Sequence, residues 1–177
     1  MRGRYRVGTV RERFSCGAGP EGWRYTCTND LRDTLDLTVD DDGRVRRLVA
    51  VFDGWTVRGG AVGGEVLWTR GDDGVEHRAD AVGFTGTSPA FDVATARLLG
   101  LEVGQSRRLA LVELTEPVGA ARTVQRSWTR VPGPAPDVDR YDVADLATGE
   151  GWVVHLSGEV LVSREGARPA VLEELVV

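Results

Sequence analysis

The chain of 177 residues contains no lysine and no isoleucine, and Asn29 is its only asparagine. Arginine therefore supplies every side-chain positive charge, which excludes a Schiff-base lysine, a Walker-type phosphate lysine and a lysine general base. All three scarce residues have A/T-rich codons, so the composition points to a GC-rich bacterial genome. The two histidines and two cysteines fall at no zinc-finger spacing. Cys16 and Cys27 sit close enough in sequence to meet across a hairpin, but in a reducing compartment they are expected as free thiols. No stretch approaches the roughly 18 apolar residues of a membrane-spanning helix. The basic start RGRYRVGTVRERF is not followed by the apolar run of a secretory signal. The expectation is a cytoplasmic protein with no membrane span. A formal net charge of −5 argues against nucleic acid or an anionic membrane as partner, because both reward a basic face. There is no G-x-S-x-G elbow and no G-x-G-x-x-G at a strand–helix boundary, and the acidic run at 40–42 lacks the pattern of a calcium loop. No cofactor and no metal is expected.

What is present is organised around residues 83–104, GFTGTSPAFDVATARLLGLEVG, the one convincing helix signal. Ser88 can cap the helix and Pro89 occupies its first position, where a missing N–H costs nothing. Phe91, Ala94, Leu98 and Leu99 form a narrow apolar stripe, and Gly100 suits the left-handed C′ position. The spacing predicts a helix at about 88–99.

On both sides the pattern is strand. Residues 7–14 read as a first strand and 15–22 as a loop. Trp23, Tyr25 and Cys27 alternate with Arg24, Thr26 and Thr28, and Leu35, Leu37 and Val39 alternate likewise. Asp42-Gly43, Asp53-Gly54 and Asp73-Gly74 are hairpin turn signals. RGGAVGG at 58–64 reads as a loop or a strongly bent strand. Val75, His77, Ala79 and Ala81 share a face. After the helix, 106–114 reads as a strand, and in 122–131 the residues Val124, Arg126, Trp128 and Arg130 face one way. PGPAPD (132–137) reads as a loop, and further strands fall at 141–146, 152–156, 160–163 and 169–177. Short strands at regular spacing predict a mainly β domain, one curved antiparallel sheet in which two meanders flank the helix. Such a sheet, with one apolar face, must curl or pack on a second layer.

GFTGTSP, ARLLGLEVGQS, the V-x-Q-x-x-x-x-R stretch of TVQRSWTR and the Tyr-led strand at Tyr141 together resemble the bacterial family called putative glycolipid-binding. The resemblance covers roughly residues 81–177; the first half matches only in strand rhythm. It implies a half-barrel of the LolA/LolB type, with a helix and an apolar cavity on the concave side, and a lipid or glycolipid ligand. It carries over no catalytic residue.

Five residues are the candidate ligand contacts. His77, on an apolar face, could orient a polar group inside a cavity; a one-residue slip of register would turn it to solvent instead. Arg126, between Val124 and Trp128, requires an anion, either a carboxylate of the protein or one of a ligand. Trp55, Trp68 and Trp128 could stack on a sugar, polyketide or acyl chain, although core packing is the commoner use of tryptophan. His155 is expected outside. Glu65, Glu76 and Asp80 are possible acids or bases, with nothing fixing a pair of them at a catalytic separation. Three functions remain open. The first is binding of an apolar small molecule or lipid in a cavity of the curved sheet. The second is a cofactor-independent cyclase or isomerase acting on a hydrophobic substrate, with His77 or Glu65 as the acid or base. The third is an interaction protein whose sheet edges pair in a homodimer.

Overall fold

A computed structural model describes residues 1–71 and 74–176. The chain forms β1 (Arg2–Val7), β2 (Val10–Gly19), β3 (Gly22–Asn29), β4 (Thr34–Val39), β5 (Val45–Phe52), β6 (Trp55–Val62), β7 (Glu65–Arg70), β8 (Glu76–Ala79) and β9 (Gly83–Thr85). Then come α1 (Ala90–Leu99), β10 (Ser106–Thr115), β11 (Ala120–Ala135), β12 (Val138–Asp145), β13 (Gly151–Ser157), β14 (Val160–Gly166) and β15 (Ala170–Val176). All fifteen strands belong to one sheet, in the order β8-β7-β6-β5-β4-β3-β2-β1-β15-β14-β13-β12-β11-β10-β9. The sheet is therefore two meanders joined along β1 and β15. Among the described residues it is mainly β with one helix, curved and open, and only the β9–β10 pair is parallel.

The alternation of side chains explains the curl. Tyr5, Phe14, Trp23, Tyr25, Leu37, Val39, Tyr141 and Val154 are all buried on the inner side. One short helix cannot cover that much apolar surface if the sheet stays flat. The two wings bend toward each other instead. Arg70 Nε on β7 donates to Val118 O in the β10–β11 turn at 2.9 Å. A Cβ on Gly119 of that turn would lie 2.9 Å from the Phe52 ring of β5. A Cβ on Gly59 of β6 would lie 2.7 Å from the ring of Phe84 on β9. Glycine there allows the wings to approach without a collision.

The helix is enclosed by this curl. Pro89 is already helical (φ −53°, ψ −25°), and Gly100 takes the left-handed region (φ 51°) while its amide bonds Ala96 O. Ser88 Oγ accepts from the Ala90 amide at 3.3 Å, as its position before the helix predicts. The stripe is wider than the sequence spacing suggests: every residue from Ala90 to Ala96 is buried, Asp92 and Thr95 included. Both wings contribute to this. Arg97 bonds Glu159 in the β13–β14 turn at 3.2 Å, and its guanidinium lies 5.8 Å from the Trp23 ring of β3.

Several element boundaries differ from the sequence reading. Residues 7–14 are not one strand: Gly8 (φ 59°) and Thr9 make a two-residue turn, with Val7 opposite Val10. Residues 15–22 are not a loop, because β2 continues to Gly19 through small residues that fit the ladder. Residues 58–64 are mostly strand, and β11 carries 132–135 within it. The Gly and Pro composition that suggested loops there instead serves bends and close approaches: a Cβ on Gly133 would lie 1.7 Å from Val138 O. The Asp53-Gly54 turn has both residues at positive φ, as expected of a tight hairpin. Asp73 of the expected Asp73-Gly74 turn lies outside the described residues.

Candidate functional site

The inner face holds a cleft between β1–β5 and the start of α1. In β2, Val10, Glu12, Phe14 and Cys16 turn inward while Arg11, Arg13 and Ser15 turn outward. The sequence places an acidic residue on an apolar face, and the fold buries it: Glu12 is 5 % exposed. Its carboxyl receives two hydroxyl protons on one oxygen. Tyr25 Oη donates to Glu12 Oε1 at 2.6 Å, and Ser88 Oγ donates to the same atom at 3.0 Å. Cys27 Sγ lies 4.0 Å from Ser88 Oγ. Burial raises the Glu12 carboxyl above the usual carboxylate range, partly opposed by the hydrogen bonds it accepts from Tyr25 and Ser88. Burial, with the Glu12 charge beside them, pushes the Tyr25 hydroxyl and the Cys27 thiol well up. Above this polar floor the walls are Val7, Val10, Leu35, Phe52 and Phe91, and Asn29, Asp33 and Glu116 also line the opening. The cavity is about 60 Å³, well above the space that a single water needs.

A stack of rings holds the floor in place. Phe14 lies between Tyr5 and Tyr25, with centroids at 4.5 and 5.5 Å. Gly3 leaves space for Phe14; a Cβ there would come within 2.7 Å of the ring. Tyr5 Oη accepts from the Leu161 amide at 3.0 Å, which ties β1 to β14.

A second recess, about 110 Å³, lies beyond the segment that carries Thr85 to Asp92, and it is polar. Glu113 is its hub. Its Oε2 accepts from Arg122 Nε at 2.7 Å, and its Oε1 pairs with Arg126 Nη2 at 3.1 Å and Arg168 Nη1 at 3.3 Å. Arg126 Nη1 also donates to Asp145, and its guanidinium lies 4.9 Å from the Trp152 ring. Asp145 is held below the usual carboxylate range, chiefly by the Thr148 amide. Arg164 closes the other side, donating to Asp92 at 2.7 Å, to Thr87 O at 2.8 Å and to Arg168 O at 2.6 Å. Burial raises Asp92, and the Arg164 charge opposes it. Four arginines face four carboxylates here, so the recess is balanced in formal charge.

The five residues singled out in the sequence are not brought together. Arg126 is buried on the expected face and finds its anions in Glu113 and Asp145, so the anion is supplied by the protein. Trp128 is 2 % exposed and packs edge-on against Tyr141, a core role. Trp68 is half-buried, and the His77 ring stacks on it at 5.6 Å. His77 shares the inward face with Trp68, but β8 is the edge of the sheet with no wall above it, so the imidazole is exposed rather than inside a cavity. Trp55 is 42 % exposed beneath Arg70. None of the five lines the apolar cleft. Glu65, Glu76 and Asp80 are exposed. His155 is half-buried, bonded to Ser163 Oγ at 3.0 Å. Cys16 and Cys27 are free thiols.

Arg126 lines the second recess; the acidic residues of the two sites are not among the sequence candidates, although a signal for two of them exists. Glu12 continues the alternation Val10–Phe14–Cys16, and Glu113 continues Leu109–Leu111. Strict period-two bookkeeping marks both as inward acids. Asp92 carried no such signal, because the narrow stripe placed it on the wet side of the helix.

Among the described residues, no helix is long and apolar enough to cross a membrane, and no group of three or more metal-ligating side chains is gathered. No protein-family model matches the chain, and no curated protein matches it. Among solved structures, the chain is similar to the crystal structure of a DUF1089 family protein from Pseudomonas aeruginosa. The match covers 88 % of this chain and 89 % of that one, with a TM-score of 0.65 and 18 % identity. At that identity the likeness establishes the shared fold, a curved antiparallel sheet with a single helix.

Proposed function

We propose that the protein binds a small, largely apolar ligand in the cleft between β1–β5 and α1, with Glu12 supplying the polar contact. The observation that carries this reading is one buried carboxyl at the floor of a cleft whose walls are Val7, Val10, Leu35, Phe52 and Phe91. Such a group is expensive to bury without a purpose beyond folding, and a cleft with few convergent polar groups is the usual form of a small-molecule site. The volume limits what enters: a ring or a short acyl segment fits, and the rest of a longer lipid-type or glycolipid-type ligand would remain at the mouth. Burying roughly 150 Å² of apolar ligand surface contributes about 4 kcal/mol before ordering costs. The reading includes a cytoplasmic location.

The elevated Glu12 carboxyl also favours a second reading, a cofactor-independent isomerase or cyclase of a hydrophobic substrate. A carboxyl held above its usual range by burial keeps a proton more readily and is a better base once ionised. Glu12 would carry the proton, with Tyr25 and Ser88 holding its position.

Native mass spectrometry on the isolated protein, followed by denaturation, tests the first reading. A bound apolar molecule that is lost in Val10→Trp, where the indole fills the cleft, is the expected result. Bare protein that also fails to take up a neutral naphthalene dye would overturn it. Turnover of the released molecule, abolished in Glu12→Gln with binding retained, would select the second reading. The mass also shows whether two copies associate through the free edges β8 and β9.

A further inference from the structure

The net charge is an average over two unlike faces. On the outward side of the first wing, Arg4 of β1 stands directly opposite Arg13 of β2, and Arg6 directly opposite Arg11. Like charges placed face to face across a ladder are unfavourable, yet this pair of strands repeats the arrangement twice. The surrounding rows extend it. Arg24 and Arg47 both stand opposite Thr38, and Arg2 and Arg58 occupy the row through Ser15, Thr26, Asp36 and Val49. Across β15 and β1–β6 this outward face therefore carries eight arginines against three carboxylates, Glu173, Glu174 and Asp36. Those strand positions sum to +5 on a chain of net −5, while in the flanking turns Glu21 lies beside Arg24 and Asp30 accepts from the Arg11 amide.

The carboxylates are already engaged, Glu174 by Arg4 at 3.2 Å. Glu173 serves both Arg6 and Arg11, and Asp36 serves both Arg24 and Arg47. Arg2, Arg13 and Arg58 have no ion-pair partner among the described residues, and all three are exposed. We propose that this convex arginine face is a docking surface for an anionic lipid bilayer, held by headgroup phosphates and carboxylates.

The geometry favours a bilayer over a nucleic acid. The charges form a two-dimensional array, about 4.8 Å apart between strands and about 7 Å apart along them. They spread over some 25 Å of sheet width rather than following a groove. The outward register positions of β1–β6 hold arginine, threonine, serine, glycine, valine and the one aspartate, Asp36, with no aromatic ring on which a single-stranded base could stack. A convex sheet face also cannot enter a duplex groove. The apolar cleft opens at the end of the same strands: Val7 and Val10 line it, and Arg6 and Arg11 are their chain neighbours on the outer side. Docking would thus bring the cleft mouth to the headgroup layer. That consequence rests on the ligand reading; the docking itself does not.

The test is co-sedimentation with vesicles of phosphatidylcholine alone and of phosphatidylcholine containing about 30 mol % phosphatidylglycerol. Binding to the anionic vesicles only, at about 50 mM salt, and its loss at about 500 mM are expected. The double variant Arg2→Gln/Arg13→Gln should weaken it at least about tenfold, with an unchanged or raised melting temperature because neither arginine has an ion-pair partner among the described residues and Arg13 faces Arg4. Val10→Trp should leave it unaltered, which separates this proposal from the cleft. No sedimentation with anionic vesicles, equal sedimentation with neutral ones, or undiminished binding of the double variant would overturn it. So would tighter binding to a mixed-sequence DNA duplex at the same salt.

Discussion

Ser88 Oγ donates to Glu12 Oε1 at 3.0 Å while accepting from the Ala90 amide at 3.3 Å. One hydroxyl therefore joins the start of α1 to the floor of the cleft, across 76 residues of sequence. Ser88→Ala is expected to lower stability by about 1–2 kcal/mol, through the lost cap and the lost bond to a buried acceptor. Chemical denaturation measures it. Ser88→Thr, which keeps the hydroxyl, should recover most of the loss.

The raised Glu12 carboxyl gives stability a definite pH dependence. Its folded value lies above the ordinary 4.5, so the folded state holds the proton more tightly than the unfolded chain does. The associated stability is complete below pH 4.5 and is lost as pH rises through the folded value. Asp92 is raised for the same reason and acts with the same sign. Asp36 and Asp145 are lowered and act oppositely, only as pH falls below their ordinary 3.8. Urea midpoints from pH 5 to 9 should therefore decline in the native protein and decline less in Glu12→Gln. Equal slopes in the two would show that Glu12 titrates normally.

Glu113 is 2 % exposed and holds three guanidinium groups. Its removal leaves Arg126 buried with half of its charge compensation. Glu113→Gln should destabilise by roughly 3–5 kcal/mol, the range for breaking a buried pair from one side. Arg168→Gln, which removes the most exposed of Oε1's two partners, should cost less than about 1 kcal/mol. Thermal melts of the two variants give the comparison.

Two glycines separate backbone conformation from contact. Gly43 and Gly54 both have φ near +80°, but a Cβ on Gly43 would lie 2.3 Å from the Leu98 amide nitrogen, whereas nothing lies within 4 Å at Gly54. Gly54→Ala should cost about 1–2 kcal/mol for the left-handed backbone alone. Gly43→Ala should cost more, because the β4–β5 turn would be pushed off the end of α1. Equal melting temperatures for the two variants would refute the packing of that turn on the helix.

Much of the fold was legible because it is periodic. Trp23–Tyr25–Cys27, Leu35–Leu37–Val39 and Val124–Arg126–Trp128 all keep the faces their alternation assigned. The acidic-Gly turn at Asp53-Gly54 folds as its residues demand. The helix begins two residues later than its spacing predicts and ends at Leu99, before Gly100, as predicted. What misled was composition. Glycine and proline at 15–22, 58–64 and 132–137 suggested loops, but in a tightly curled sheet those residues serve bends and near contacts within strands. The sites were harder to see because they depend on which residues meet across the curl. Glu12, Tyr25 and Ser88 come from two neighbouring strands and a helix cap, and no sequence spacing announces that meeting. His77 illustrates the converse: its face was read correctly, but the sheet ends at its strand, so no enclosure forms around it.

The seam between β1 and β15 governs how the molecule is built. Arg2 pairs with Val176 and Val7 with Ala170, so the strand ladder that joins the two meanders is formed by segments about 170 residues apart in sequence. Each wing can form from near-neighbour hairpins, which assemble quickly, while their union closes the largest loop in the chain. Formation of the wings should therefore precede their joining, and the joining step should set the rate. Until it occurs, both inner faces and two additional strand edges are open to solvent, and the intermediate is the form most prone to associate with other chains.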